Sequence, residues 1–143
     1  MTGAAATAIL WPAVAMAGLT FLVWVRLYHL RLGEMARKRI DAQDLASAAD
    51  SVRLLVDTRA SDNFRNLFEL PVLFYVGVLL AAQLGVSDTV SLALAWAFVS
   101  LRAVHSGVHC TYNHVMTRFV AYALATLVLI AFWVRLALAL AAA

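Results

Sequence analysis

Two rows of polar and ionisable side chains lie within apolar helical sequence, and they are the residues with which this chain could do chemistry. Both rows have spacings of 3, 4 and 3 residues: one is Arg59, Asp62, Asn66 and Glu69, and the other is Arg102, His105, His109 and Tyr112. This spacing places each row on one face of a helix. Ionisable groups at hydrocarbon depth are costly unless they pair, face a bundle interior or bind a polar molecule, so each row is a candidate functional site.

The first row offers charges of both signs and an amide, with Asn63 and Arg65 on neighbouring faces of the same helix. Such a set could hold a small zwitterion, with Arg65 or Arg59 forking onto a carboxylate and Glu69 binding an ammonium. The alternative is that these residues form ion pairs with one another at the membrane surface. Taken alone, the row favours this alternative, because interfacial charges are common and are costly only when unpaired.

The second row raises the question of a metal, since His105 and His109 are one helical turn apart and His114 follows. A zinc or iron site normally needs a third or fourth ligand and a second shell of partners, and we find no carboxylate close in sequence. We therefore predict no metal site. The histidines are either satisfied groups at the interface or part of a ligand site.

Further along the chain, Arg118 and Tyr122 share a helix face at a spacing of four residues. A fixed cation in a poorly solvated site favours a bound thiolate over the thiol, so Arg118 could activate sulfur. Alternatively, Arg118 anchors the helix end at the lipid headgroups.

Cys110 is the only cysteine, which excludes a disulfide framework and a cysteine-rich metal site. We expect it to be a small packing residue.

The elements that position these residues are membrane helices. The chain has 143 residues, of which 64% are hydrophobic and 13% charged, and soluble domains are less apolar. We predict a single-domain, all-α membrane bundle with helices at about residues 5–32, 62–84, 87–110 and 113–140, each long enough to cross about 30 Å of hydrocarbon. The third helix crosses only if the Arg102 to His109 stretch continues it. The polar loop at about 33–61 should hold short helices.

Lysine and arginine concentrate in the first and third loops, so the positive-inside rule places those loops in the cytoplasm and both termini outside. The first apolar segment is interpreted as a mature helix rather than a signal peptide, because no positive charge precedes it. The net charge of +3 lies beside the membrane, where anionic lipid is a better partner than nucleic acid. A four-helix unit of this size has little interior, and we therefore expect an oligomer.

Several fixed spacings together resemble the MAPEG family, the membrane-associated proteins in eicosanoid and glutathione metabolism. The stretch from Arg65 to Phe74 is similar to the family's R-N-x2-E motif followed by proline and aromatics. The family's later motif, R-x2-H-x3-Y with a second arginine sixteen positions after the first and then x3-Y, is similar to Arg102, His105, His109, Arg118 and Tyr122. Here His109 replaces the first tyrosine of that motif.

The resemblance implies a four-helix, homotrimeric membrane protein with glutathione bound between subunits and entering from the cytoplasm. It implies that Arg118 activates the thiol toward a lipophilic electrophile. It further implies that the following residues hold glutathione: Arg65, Asn66, Glu69, Arg102, His105, His109, Tyr112 and Tyr122. The family's arginine after the first helix has three candidates here: Arg31, Arg37 and Arg39.

Two hypotheses of different classes follow. The first is a glutathione-dependent transferase or peroxidase, which we expect to be a bacterial member of the family in the inner membrane. The second is a non-catalytic relative that binds a membrane lipid or fatty acid and serves as a scaffold, which needs the fold and an apolar cleft but not a competent Arg118.

Overall fold

The computed structural model describes residues 7–142, and every regular element in that range is a helix. The elements in chain order are α1 (Trp11–Lys38), a short 3-10 helix (Ala42–Leu45), α2 (Ala48–Leu54), α3 (Arg59–Asn66), α4 (Leu70–Leu84), α5 (Thr89–Cys110) and α6 (Val115–Ala141). Four spans are long and apolar enough to cross a membrane: α1, α3 together with α4, α5, and α6. The predicted all-α membrane architecture is confirmed, and the homotrimer stays a prediction.

Local sequence explains where the helices begin and end. Pro12 lies in the first turn of α1, where its missing N–H breaks no helical bond. Asp88 caps α5 by accepting hydrogen bonds from the backbone N–H groups of Val90 and Ser91, and His114 caps α6 through the N–H of Thr117. The α4–α5 connection is tight because Gly85 adopts a left-handed conformation with φ 70°.

The helix bounds differ from the sequence expectation in two places. Helix α1 continues to Lys38 rather than ending near residue 32, and residues 5 and 6 of the predicted helix lie outside the described range. The predicted helix at 62–84 begins earlier, at Arg59, and is interrupted between Asn66 and Leu70. Pro71 explains the interruption, because it has no N–H to donate to the carbonyl four residues before it and its ring crowds that carbonyl.

The core lies where α4, α5 and α6 meet. Phe74 stacks on Phe98 with ring centroids 4.5 Å apart, and the centroid of the Phe132 ring lies 6.5 Å from that of Phe74. Gly77 allows this approach: a Cβ built there would lie 3.1 Å from the Phe132 ring. Many other large apolar side chains face outward, as expected for helices surrounded by lipid or by other subunits.

The polar loop is folded against the end of α1. Glu34 is buried and accepts hydrogen bonds from the N–H groups of Val56 and Asp57, and it pairs with Lys38 at 2.6 Å. Lys38 also donates to the carbonyl of Leu54 at 2.9 Å. These contacts hold the chain against α1 just before α3 begins. They therefore position the start of α3, which carries the first polar row.

At the opposite end of the bundle, Asp88 joins the α4–α5 turn to α6. Its carboxylate accepts hydrogen bonds from the hydroxyl of Ser91 at 3.0 Å and from Arg135 at 2.9 Å. Partial desolvation raises the pKa of Asp88, but the hydrogen bonds from Ser91, Arg135 and Val90 outweigh it and bring the pKa to about 2.

A carboxylate with a depressed pKa stabilises the fold above its unfolded pKa of about 3.9 and loses that contribution as the pH falls through its folded value. We therefore expect the thermal midpoint of purified protein to fall between pH 4 and pH 2 partly through Asp88. The variant Asp88→Asn keeps a good helix cap and removes the charge, so its free energy of unfolding at neutral pH should drop modestly, by about 1 kcal/mol or less. Its acid dependence in that window should be shallower than that of wild type. An equally steep dependence in both proteins would contradict this assignment.

Candidate functional site

Arg102 is the centre of a polar cluster between α3, α5 and α6. It lies on the inner face of α5 with 0% of its surface exposed. One terminal nitrogen donates to the side-chain oxygen of Asn66 at 2.6 Å and to the Asn66 carbonyl at 3.1 Å. Asn66 in turn donates to a carboxylate oxygen of Glu69 at 2.9 Å. The Asn66 carbonyl lies in the interruption after α3, where it also accepts a hydrogen bond from the backbone N–H of Glu69 at 3.4 Å.

Tyr122 and the two histidines complete the cluster. The guanidinium carbon of Arg102 lies 5.7 Å from the centre of the Tyr122 ring, within the range of a cation–π interaction. The ring of His105 lies 5.8 Å from Tyr122 and 5.5 Å from His109, and it meets the His109 ring edge to face. Arg102, His105 and His109 share one buried face of α5, as their spacing predicts.

Arg118 reaches the cluster from the start of α6. Nδ1 of His105 donates to the Arg118 carbonyl at 2.8 Å, because a carbonyl only accepts, and this leaves Nε2 facing the cluster interior. The Arg118 guanidinium donates to the side-chain oxygen of Asn113 at 2.6 Å, and its charge interacts electrostatically with His105 and His109. Asn113 holds this position with a left-handed backbone, φ 50°, at the turn between α5 and α6.

Several buried polar atoms of this cluster have no hydrogen-bond partner within residues 7–142: Arg102 Nε, Arg102 Nη1, His105 Nε2 and His109 Nδ1. Orphaned buried polar atoms are uncommon in folded proteins, and each unsatisfied group is costly. Their concentration in one cluster suits a polar, hydrogen-bonding ligand.

The cluster has a buried back and an accessible front. Arg102, His105 and His109 are buried, whereas Glu69 is exposed and Tyr122 is half-buried. Arg118 and Asn66 are also half-buried. A ligand would therefore meet the front first, and Arg102 would act mainly by holding Asn66, and through it Glu69, in place.

Two of the residues assigned to glutathione by resemblance lie elsewhere. The side chain of Arg65 is exposed, makes no hydrogen bond or ion pair with another described residue, and lines a separate cavity beside α1. Tyr112 follows the end of α5 and is 69% exposed. From the first polar row, Arg59 pairs with Asp57 at 2.7 Å and donates to the carbonyl of Thr111, so it joins α3 to the end of α5.

The candidates for the arginine after the first helix are also placed. Arg31 is half-buried and donates to the hydroxyl of Ser51 at 2.9 Å, whereas Arg37 and Arg39 are exposed. Among residues 7–142, no three His, Cys, Asp or Glu side chains gather in a way that could hold a metal ion.

The sequence reasoning missed a buried polar group behind the cluster. Asn63 is fully buried, accepts a hydrogen bond from Ser106 at 3.3 Å and donates to the sulfur of Cys110 at 3.4 Å. It ties α3 to α5 and so fixes the helix that carries Asn66. Ser106 and Cys110 lie next to the second row in sequence. Their four-residue spacing, which places both on one face of a helix, was the sequence signal for a second polar contact with α3.

Comparison with known proteins agrees with this architecture. The model of the MAPEG family matches residues 9–138 of the chain. Searches of curated proteins and of solved structures gave no match. Since the family match covers nearly the whole chain, with the polar cluster and at least most of each of the four spans, the protein belongs to the MAPEG family.

Proposed function

We propose that the protein is a membrane-embedded, glutathione-dependent transferase or peroxidase that acts on a lipophilic electrophile. The observation that carries the proposal is the cluster in which Glu69, Asn66 and Arg102 form one hydrogen-bonded chain beside Tyr122 and Arg118. Family membership supports the same metabolic context.

The front of the cluster would bind the ends of the tripeptide. Glu69 offers a carboxylate to an ammonium, and Tyr122 and Asn66 offer hydrogen bonds to carboxylate or amide groups. Arg102 is a positioning residue, because its bonds to Asn66 keep the Glu69 carboxylate oriented. Since Glu69 and the neighbouring Phe68 are exposed, we propose that the face is completed by another subunit of a homotrimer.

When bound, glutathione supplies a thiol whose thiolate form attacks an electrophilic carbon or a peroxide oxygen. The contribution of this chain is the positive charge of Arg118, which lies in the first turns of α6 and is held there by its hydrogen bond to Asn113. Lowering a thiol pKa of about 8.5 by about two units requires about 2.7 kcal/mol of preferential stabilisation of the anion. A single arginine in a poorly solvated site can supply that amount.

Product analysis tests the activity. Purified protein would be incubated with glutathione and either a lipophilic alkyl or aryl halide or a lipid hydroperoxide. A transferase joins sulfur to carbon and releases halide, whereas a peroxidase converts the hydroperoxide to an alcohol and water while two glutathione molecules become the disulfide. Protein-dependent formation of either product, detected by mass spectrometry, is expected. Formation of neither product across a panel of such electrophiles would contradict the proposal.

A second function is favoured by one further feature, an apolar groove of about 430 Å³ between α4 and α6. Its lining is almost entirely aliphatic, with Trp133 and Thr126 as exceptions. A relative that only binds a fatty acid or lipid would need this groove and not the charge of Arg118. Lipid binding that is unaffected by Arg118→Ala, in a protein without thiol chemistry, would favour this second function.

A further inference from the structure

A cavity of about 300 Å³ lies beside the polar cluster, between the end of α1 and the segment from the 3-10 helix to α3. Its lining is mixed: Leu27 and Leu30 are among its apolar residues. Arg31, Asp62 and Arg65 are among its charged residues. A cavity lined by both apolar and charged side chains suits an amphiphile rather than a soluble ion.

Two acidic residues that line the cavity are already paired with other groups of the protein. Glu34 binds Lys38 and the backbone N–H groups of Val56 and Asp57. Asp57 receives two hydrogen bonds from the side chain of Arg59, at 2.8 Å and 2.7 Å, and these bonds lower the pKa of its carboxyl group. Neither acid is free to bind a cation from outside.

The charged residues of the cavity that form no ion pair within the protein are complementary to a zwitterion. Asp62 and Arg65 lie one turn apart on α3, yet they form no ion pair with each other. Within the described part of the chain, the Asp62 carboxylate accepts no hydrogen bond and the Arg65 guanidinium donates none. Arg31 adds a second guanidinium, held by the Ser51 hydroxyl at 2.9 Å. Two guanidinium groups match the oxygens of a phosphate, and one carboxylate matches an ammonium.

The cavity also lies at the depth of lipid headgroups. Trp24 and Tyr28 lie one turn apart on α1 with tilted rings whose centroids are 4.8 Å apart, and both are exposed. Exposed tryptophan and tyrosine mark the boundary between hydrocarbon and water. Arg31 follows Tyr28 by less than one helical turn, so its guanidinium group lies at the level at which we place the lipid headgroups.

We propose that this cavity binds the headgroup of a membrane phospholipid with a primary ammonium, of the phosphatidylethanolamine class. The phosphate lies between Arg31 and Arg65, the ammonium meets Asp62, and the acyl chains leave over Leu27 and Leu30. The site adjoins the polar cluster, since the charge of Asp62 also acts on His109, but it does not depend on the proposed enzymatic activity. Its occupant would brace the loop segment against α1 and so support the start of α3.

Native mass spectrometry of detergent-purified protein tests this site. The protein would be offered equal amounts of phosphatidylethanolamine, phosphatidylcholine and phosphatidylglycerol of the same acyl composition. Wild type should retain phosphatidylethanolamine in preference to phosphatidylcholine, whose ammonium cannot donate a hydrogen bond. The variant Arg65→Gln should weaken phosphatidylethanolamine binding about fivefold, the effect of one cation near a lipid surface. Asp62→Asn should shift the preference toward phosphatidylglycerol.

The matched control is Arg53→Gln. Arg53 belongs to the same basic segment, is highly exposed, pairs only loosely with Asp50 at 3.7 Å and does not line the cavity, so lipid preference should not change. Equal retention of phosphatidylcholine and phosphatidylethanolamine by wild type, or equal losses in Arg65→Gln and Arg53→Gln, would overturn the proposal. Displacement of the lipid by water-soluble glycerophosphoethanolamine at equal concentration would also overturn it, because the acyl chains would then contribute nothing.

Glutathione is measured in the same series. Loss of glutathione binding in Arg65→Gln with unchanged lipid retention would overturn the lipid site and assign the cavity to the thiol ligand. Loss of lipid preference with unchanged glutathione binding supports the proposal. Failure of glutathione to bind any of these proteins would count against the proposed function alone, since lipid preference is read without it.

Discussion

Arg118→Ala should abolish the ultraviolet thiolate absorbance that we expect when glutathione is added to the wild-type protein. Without a nearby cation the thiol should return toward its ordinary pKa of about 8.5, so only a few per cent is ionised at pH 7. Turnover at neutral pH should therefore fall about twenty-five-fold from ionisation alone. The rising limb of the pH–rate profile should move up by about two pH units. Glutathione affinity should change much less.

The control for this prediction is Arg135→Ala. It removes an arginine from the same helix, but that arginine pairs with Asp88 at the opposite end of the bundle. Thiolate absorbance and turnover should be retained. Arg118→Lys should restore part of the activity, because it keeps the charge and loses only the guanidinium hydrogen bond to Asn113. A wild-type protein without thiolate absorbance, or an Arg118→Ala protein that retains it, would contradict the role of Arg118.

Arg102→Met should weaken glutathione binding by about tenfold to a hundredfold while leaving the protein as stable as wild type or more so. The first effect follows from losing the charged hydrogen bonds that hold Asn66, each worth about 1.5–3 kcal/mol when formed to a charged group. The second follows because Arg102 is a buried cation with two unpartnered nitrogens, and replacing such a group with a well-packed apolar one is often neutral or stabilising.

This combination separates a functional role from a structural one. If Arg102 mainly stabilised the fold, the thermal midpoint in detergent would fall and glutathione affinity of the remaining folded protein would persist. Arg135→Met is the matched change at a half-exposed ion pair, and it should leave the affinity unchanged. Equal effects of the two substitutions on glutathione affinity would remove Arg102 from the ligand site.

The architecture was predictable from sequence because apolar runs of membrane length carry a strong signal. The third span depended on treating Arg102 to His109 as helix, and the structure continues α5 through this stretch to Cys110. The interruption before Leu70 was harder to place, because Pro71 is compatible both with the first turn of a new helix and with a kink in a continuous one. The extension of α1 to Lys38 was missed because its last turns are polar and resemble loop sequence.

The site was predictable only in part. Helical spacing correctly put Arg102, His105 and His109 on one face, because that face is set by local geometry. The same spacing could not show that α5 ends before Tyr112, or that the break after α3 turns Asn66 and Arg65 toward different surroundings. Adjacent residues on a helix point about 100° apart, so which of the two meets Arg102 is a matter of tertiary packing.

Calorimetric titration of detergent-purified protein with glutathione, cysteine and a simple mercaptan tests the central claim most directly. We predict that glutathione binds and that the two smaller thiols, which lack its γ-glutamyl and glycyl groups, bind weakly or not at all. In Glu69→Gln, which keeps the hydrogen bond from Asn66 and removes the charge, the affinity for glutathione should fall at least about tenfold. Glutathione binding no tighter than the simple mercaptan, or with full affinity in Glu69→Gln, would contradict a site built from this cluster.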